Sequence, residues 1–233
     1  MADYVPMGRA NTQDIWTICH LRVVPQSCAF GKQAGGARGG LLGIDMFEDL
    51  SERLFAHFVA GRWRVPFGSA AYPVLSHTGK ALGQVVAAGP LDVARAVQAL
   101  RPADDRACHR LAQALAQHID GLAQAIAIQS GQAPTADQMA QMLDAVGAAH
   151  AAKPGILLSA RDSDLGRFGH ALGAGVMGGV IWCPPVERAV FATAIACVVQ
   201  HAEMPPGAFA VLHTRAPETE TALRATPLCI HED

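Results

Sequence analysis

An α/β architecture, with a helical N-terminal layer packed on a small and incomplete parallel sheet, is what this sequence predicts. Two observations carry the prediction. Between residues 90 and 152 apolar side chains recur at helical spacing, one amphipathic stretch after another. From Val180 onward the pattern changes to short apolar runs alternating with helical stretches. Strands that short, joined by helices, imply parallel pairing with right-handed crossovers.

Taken in order, residues 1–45 show no periodicity, and Gly31-Lys-Gln-Ala-Gly-Gly-Ala-Arg-Gly-Gly40 is a glycine stretch of the kind that stays mobile. Its Gly-Lys step fails as a phosphate loop, because Gln33 stands where a Ser or Thr must follow the lysine. The expectation is a disordered or mis-started tail, with Met46 as the native start and residues 46–233 as the folded unit. Residues 47–58 predict a short helix with Leu50, Leu54 and Phe58 on one face. Residues 58–64 and 72–75 predict strands around a Gly68-Ser69 turn, and 82–87 a returning strand after Thr78-Gly79. Gly89-Pro90 opens a helix whose inner side is Val93, Ala96, Val97 and Leu100.

Asp104 or Asp105 caps the next helix. Leu111, Leu115, Ile119, Leu122 and Ile126 form one stripe, with Asp120-Gly121 as a place where a second helix restarts. Gly131 and Pro134 end it, and residues 136–152 form an alanine-rich helix stopped by Pro154-Gly155. Strand 180–183, helix 187–201, strand 208–212, helix 218–224 and strand 228–231 complete the alternation.

Composition narrows the function classes. The chain has 233 residues, enough for a real core in one or two domains, and it is 51% hydrophobic and 16% charged. That excludes a disordered chain. A net charge of -2 with no basic run offers no field for nucleic acid or acidic lipid. Cys19, Cys28, Cys108, Cys183, Cys197 and Cys229 include no C-x-x-C pair and read as reduced thiols of a cytoplasmic protein. No signal peptide and no apolar run of membrane-spanning length stands out.

The order of motifs resembles the aldehyde dehydrogenase superfamily. Phe58-Val-Ala-Gly61-Arg-Trp63, Ser76-His-Thr-Gly79-Lys80-Ala-Leu-Gly-Gln-Val85, Leu91-Asp92-Val-Ala-Arg-Ala-Val97 and Ser130-Gly131-Gln132-Ala-Pro134 resemble its N-terminal part. Ala171-Leu-Gly-Ala-Gly175 followed by Val180-Ile-Trp-Cys-Pro184 resembles its helix end, glycine turn and second nucleotide-domain strand. Met204-Pro-Pro-Gly207-Ala-Phe209 resembles the loop into the third strand, and Thr221-Ala-Leu223 with Pro227 the approach to the fourth. The likeness runs from about residue 58 to 230 and implies a Rossmann-like sheet.

The departures from the family pattern matter more for activity. The resemblance puts a cofactor-binding lysine at the end of the second strand, and Cys183 stands there. A thiol cannot donate the cationic hydrogen bond to ribose hydroxyls that an ammonium donates. Arg161-Asp-Ser-Asp-Leu165-Gly166 resembles the approach to the first strand. The loop that follows it in the family, with its oxyanion asparagine, is expected to be deleted. The family's cofactor glycine turn, catalytic cysteine and glutamate base are expected beyond Ile230. Aldehyde oxidation needs a nucleophile, a base and a stabilised oxyanion. No catalytic residue is therefore assigned.

Other tempting patterns have plainer readings. Gly173-Ala-Gly175-Val-Met-Gly178 fits G-x-G-x-x-G, but it precedes a strand where a true fingerprint follows one. A turn built on chance glycine clustering is expected. Cys183 has no adjacent base to activate it. Cys108 and His109 point about 100° apart on a helix. Cys229 and His231 share a strand face without a second ligand pair, so no metal site is assigned. Glu187 opens a helix one residue from where the family often places a ribose-binding acid.

The expected vestigial cofactor residues are Cys183, Pro184 and Glu187. No cofactor is expected to bind, and NAD or NADP is the choice if one does. The expected function is a catalytically inactive aldehyde dehydrogenase-like protein. It would be a structural or regulatory partner of a full-length dehydrogenase, or would self-associate, with neither nucleic acid nor membrane as partner. The alternatives are a residual oxidoreductase completed by a partner chain and a decaying, truncated gene product.

Overall fold

Apolar runs punctuated by glycine and proline build a sheet with helices on both faces. The computed structural model describes residues 50–148, 153–159, 164–214 and 217–232. The tail at 1–45, the start of the first helix at 47–49 and the last residues of the alanine-rich helix at 149–152 lie outside the described residues, as do residues 161–163 of the 161–166 motif.

A short helix α1 (Leu50–Phe55) leads into β1 (His57–Val59) and β2 (Arg62–Arg64). The strand expected over 58–64 is thus a hairpin, and Phe58 belongs to β1 rather than to the helix before it. Its two-residue turn has Ala60 at φ 54° and Gly61 at φ 72°. Positive φ at both central residues matches the right-handed twist of the flanking strands. Next, β3 (Ala71–Leu75) and β4 (Ala81–Val86) pair antiparallel as a separate two-stranded sheet.

Four helices follow: α2 (Pro90–Ala99), α3 (Asp105–Gln117), α4 (Ile119–Ser130) and α5 (Ala136–Gly147). Asp104, not Asp105, caps α3, accepting from the Ala107 amide at 2.7 Å. The stripe from Leu111 to Ile126 is divided at His118, so it belongs to two helices that keep one inward face. Gly131 ends α4 in the left-handed conformation, φ 80°. Thr135 and Gln138 form a reciprocal capping box on α5.

Two differences from expectation concern the next segment. The first parallel strand is β5 (Gly155–Leu158), directly after the Pro154-Gly155 stop. The glycine cluster lies inside a helix, α6 (Leu165–Gly178), not in a turn. Asp164 caps α6 through the Arg167 amide at 2.9 Å. The glycines are there for contact: a Cβ on Gly169 would lie 2.3 Å from the Met142 carbonyl oxygen, and one on Gly175 would lie 2.9 Å from the Val180 side chain. These are close approaches of α6 to α5 and to the next strand. Gly169→Ala should therefore cost about 1–3 kcal/mol, measured by urea unfolding. Gly147→Ala, which meets nothing within 4 Å, should be neutral or slightly stabilising. Equal midpoints for the two variants would refute the close-packing role.

The rest is β6 (Val180–Cys183), a 3-10 turn (Val186–Arg188), α7 (Ala189–His201), β7 (Phe209–Val211), α8 (Pro217–Arg224) and β8 (Cys229–Glu232). The main sheet runs β2-β1-β7-β6-β5-β8. Its last four strands are parallel, and the N-terminal hairpin joins antiparallel through Phe58 opposite Val211. This is the expected mixed α/β fold, with the parallel sheet extended by the hairpin.

Period-two alternation sorts the side chains onto two faces. Leu157, Val180, Trp182 and Phe209 pack toward α3–α7, where Phe168, Trp182 and Phe191 form an aromatic cluster with centroids 4.6–5.8 Å apart. Ile156, Ile181, Ala210 and Leu212 pack on the opposite face with Val93 and Ala96 of α2 and Leu223 of α8. Among the described residues no helix is long and apolar enough to cross a membrane.

Candidate functional site

The strand order has one reversal. From β5 the chain moves to β6 and then β7 on one side, and afterwards crosses to β8 on the other. In open parallel sheets the crevice outside the carboxyl ends of the strands, beside such a reversal, is where ligands bind. A cleft of about 450 Å³ lies in that position. Leu158 and Ser159 form its wall at the end of β5, Cys183 to Glu187 line the loop after β6, and Thr214 comes from beyond β7. Glu220, Leu223 and Arg224 of α8 close the far side.

Cys183, Pro184 and Glu187, the residues singled out from sequence, all line this cleft. Cys183 pairs with Leu158 in the sheet register and is 3% exposed. Burial pushes its thiol far up from 9.0, so no thiolate is available near neutrality. Its Sγ approaches the Ile181 carbonyl at 4.0 Å. Pro184 is buried and Glu187 is exposed.

Other side chains hold this cleft in shape, and they carried no motif. Gln129 of α4 donates to the Val186 carbonyl and accepts from the Val190 amide, both at 2.8 Å. It thereby fixes the 3-10 turn that presents Glu187 and satisfies a donor at the start of α7. The Trp182 indole N–H donates to Ser159 Oγ at 2.7 Å, which places Ser159 at the strand end. On α8 the Arg224 guanidinium donates through Nε and one terminal nitrogen to Glu220 Oε1 at 2.9 and 2.8 Å. Among the described residues of the lining, the carboxylates of Glu187 and Glu220 stand against the guanidinium of Arg224. A wall of that charge suits hydroxyl donors such as ribose better than a pyrophosphate.

Elsewhere, Cys108 is half-buried on α3 and its thiol is raised by burial and then by Asp105 and Asp104. Cys197 is buried on α7 and raised by burial, against the pull of Arg53, whose guanidinium lies 2.8 Å from the sulfur. Among the described residues no group of three His, Cys, Asp or Glu side chains is arranged to hold a metal ion.

The arrangement defines an α/β protein with a Rossmann-like, mostly parallel sheet. More particularly, the fold is that of a part of aldehyde dehydrogenases. Aldehyde dehydrogenase C of Pseudomonas syringae, solved with NAD+ and octanal, superposes with a TM-score of 0.66 at 20% identity, covering 78% of this chain and 45% of that one. HpcC of Thermus thermophilus gives 0.64 at 21% identity over 79% of this chain and 44% of that one. An aldehyde dehydrogenase of Bacillus cereus gives 0.65 at 15% identity over 79% and 47%. The chain thus spans less than half the length of these structural relatives. No protein-family model matches the sequence. No curated protein matches it.

Proposed function

We propose that this chain is an aldehyde dehydrogenase-like module without dehydrogenase turnover of its own, serving as a structural or regulatory partner. Its companion would be a full-length aldehyde dehydrogenase or a second copy of the chain. The observation that carries the reading is Cys183. A buried, protonated thiol ends the second parallel strand, inside the crevice, where the family resemblance implies a lysine. Among the described lining residues Glu187 is the one carboxylate without an arginine on it, and its charge adds to the reading by opposing a dinucleotide's phosphates. The partner role rests on β8, which is an edge of the sheet among the described residues. The free side of an edge strand can add a further strand from another chain.

A second reading has one observation in its favour. The cleft has the size and position of a nucleotide site, and Glu187 and Thr214 offer acceptors to ribose hydroxyls. It would make the chain an oxidoreductase whose site is completed by a partner. Some aldehyde dehydrogenases of this fold were solved with NAD+, so NAD is the cofactor to test first and NADP the second. Calorimetry with each cofactor separates the two readings. The inactive-module reading expects no saturable binding below millimolar cofactor and no aldehyde oxidation. Tight binding that disappears in Glu187→Ala or Cys183→Ala would replace it with the second reading. Size-exclusion chromatography of the chain, alone and mixed with a full-length aldehyde dehydrogenase, tests the partner role. A well-dispersed monomer in both runs would remove it.

A further inference from the structure

Away from the cleft, the described residues form a second and smaller cavity of about 120 Å³. It lies where the β1–β2 turn meets the end of α7 and the loop before β7. Phe58, Val199, Met204 and Phe209 line it, and all four are buried. The rings of Phe58 and Phe209 have centroids 6.3 Å apart. Pro206 closes one side against the turn: a Cβ on Gly61 would lie 3.8 Å from the Pro206 Cα. Backbone strain falls at the same place. Ala60 at φ 54° and Glu203 at φ 51° are the two non-glycine residues with positive φ among those described. Ala60 lines the cavity, and Glu203 leads into Met204. Conformations of that kind collect at ligand sites.

The apolar floor has a polar rim. Arg62 and Gln200 line the cavity and are both exposed. Among the described residues the Arg62 guanidinium has no hydrogen-bond or ion-pair partner. The Trp63 indole N–H donates to Gln200 Oε1 at 3.3 Å, which engages the acceptor of that amide and leaves its Nε2 donors for a ligand. Among the described lining residues none is acidic. Glu203 is exposed and is not part of the lining. The last carbonyls of α7 do not oppose an anion here, because those of Val199 and Gln200 accept from the Met204 and Glu203 amides at 3.4 and 3.2 Å. A rim of donors and one positive charge favours a carboxylate over an alcohol and repels an amine.

We propose that this cavity binds a short aliphatic carboxylate, with the hydrocarbon chain on Phe58, Met204 and Phe209 and the carboxylate at Arg62 and Gln200. Size sets the chain length. An apolar cavity of about 150 Å³ holds benzene, so one of about 120 Å³ admits an aliphatic group of about four carbons. The floor is built from buried core side chains, so it is in place before binding. The site is separate from the cleft beyond β5 and β6 and does not rest on the dehydrogenase reading.

NMR of the full chain, isotope-labelled at the methionine methyl groups, tests it, with the Met204 signal assigned through Met204→Leu. Isovalerate should move that signal saturably, with a dissociation constant in the millimolar range that so small a ligand allows. Acetate should bind at least about tenfold more weakly, because it buries less apolar surface. Isoamyl alcohol keeps the chain and lacks the charge, and should bind at least about fivefold more weakly than isovalerate. Arg62→Gln should bring isovalerate down to the level of the alcohol, and added salt should weaken binding by the wild type but not by the variant. Thermal melts show whether that exposed-site variant is folded, and Gln200→Leu, which removes the other rim donor, serves as the second variant. No saturable movement of the Met204 signal, equal binding of acid and alcohol, or an affinity unchanged in both rim variants would overturn the assignment.

Discussion

Asp92→Ala should destabilise the fold by about 3–5 kcal/mol, as removal of a buried carboxylate that holds several backbone amides and a cation does. Asp92 is in the first turn of α2 and has no exposed surface. Its Oδ2 accepts from the amides of Phe67, Gly68 and Gly89 at 2.9, 3.1 and 3.0 Å. Its Oδ1 accepts from the Phe67 amide and from the Arg95 guanidinium, which stacks 4.4 Å from the centre of the Phe67 ring. One carboxylate thus satisfies three backbone donors and a cation, and ties residues 67–68 to the start of α2. The loop cannot relax freely in compensation, because a Cβ on Gly68 would sit 1.9 Å from the Ala87 carbonyl oxygen. Truncation leaves the three amides without their acceptor and the guanidinium, which also donates to the Val65 carbonyl at 3.3 Å, without its counter-charge. Asp92→Asn keeps the shape but turns one acceptor into a donor, and should cost less, about 1–3 kcal/mol. Urea unfolding of both variants checks the order. An alanine variant within about 1 kcal/mol of wild type would show that solvent replaces the carboxylate without penalty.

That residue also marks where sequence reading stopped. An acid three residues after Gly89 at a helix start looks the same whether it faces water or holds a loop in the interior. Its partners Phe67 and Gly68 are too far away in sequence to declare themselves. Strands β6, β7 and β8 were legible because Cys183-Pro184-Pro185, Pro205-Pro206-Gly207 and Pro227 bound short apolar runs. Strand β5 was not, because Ile156-Leu157-Leu158 follows directly on the Pro154-Gly155 stop and is too short to show a period of its own. Its neighbour α6 was hidden by its glycines. Gly169, Gly173 and Gly175 lower helix propensity, and the close approaches at Gly169 and Gly175 give a packing reason for two of them. Three residues of the cleft lining, Cys183, Pro184 and Glu187, stood out in the sequence because they follow one another closely at the end of β6 and in the turn after it. The wall from α8 was not: Glu220 and Arg224 at i, i+4 spacing read as a solvated helix face. Gln129 had no signal, because a glutamine on a helix reveals nothing about the turn it caps across the fold. The cavity between the β1–β2 turn and the loop before β7 is a product of tertiary packing alone.

Acidification should remove several kcal/mol of stability through two buried histidines. His57 of β1 is 0% exposed and His213, just after β7, is 3% exposed, with ring centroids 5.9 Å apart. Neither nitrogen of His57 and not Nδ1 of His213 has a hydrogen-bond partner. Burial lowers the His57 imidazole from 6.5 to about 4, against the attraction of Asp92, whose Oδ2 is 3.8 Å away, and with a contribution from Arg95. Burial, and then His57, lower His213 to about 3. Both values lie below those of the unfolded chain, so the folded state keeps these rings neutral while the unfolded state takes up protons. The stability they permit is complete above pH 6.5. It is lost as the pH falls from there toward about 4 for His57 and about 3 for His213. Each group contributes up to about 1.4 kcal/mol per pH unit in that window. Between pH 7 and pH 5 the pair should therefore remove on the order of 3 kcal/mol. Urea midpoints across that range measure the slope. A His57→Leu/His213→Leu double variant isolates it, whatever its absolute stability, because it retains every carboxylate and loses only these two titrations. Its curve should be flatter than wild type by most of that amount. Parallel curves for the two proteins would mean that the imidazoles are already solvated, or protonated, in the folded chain.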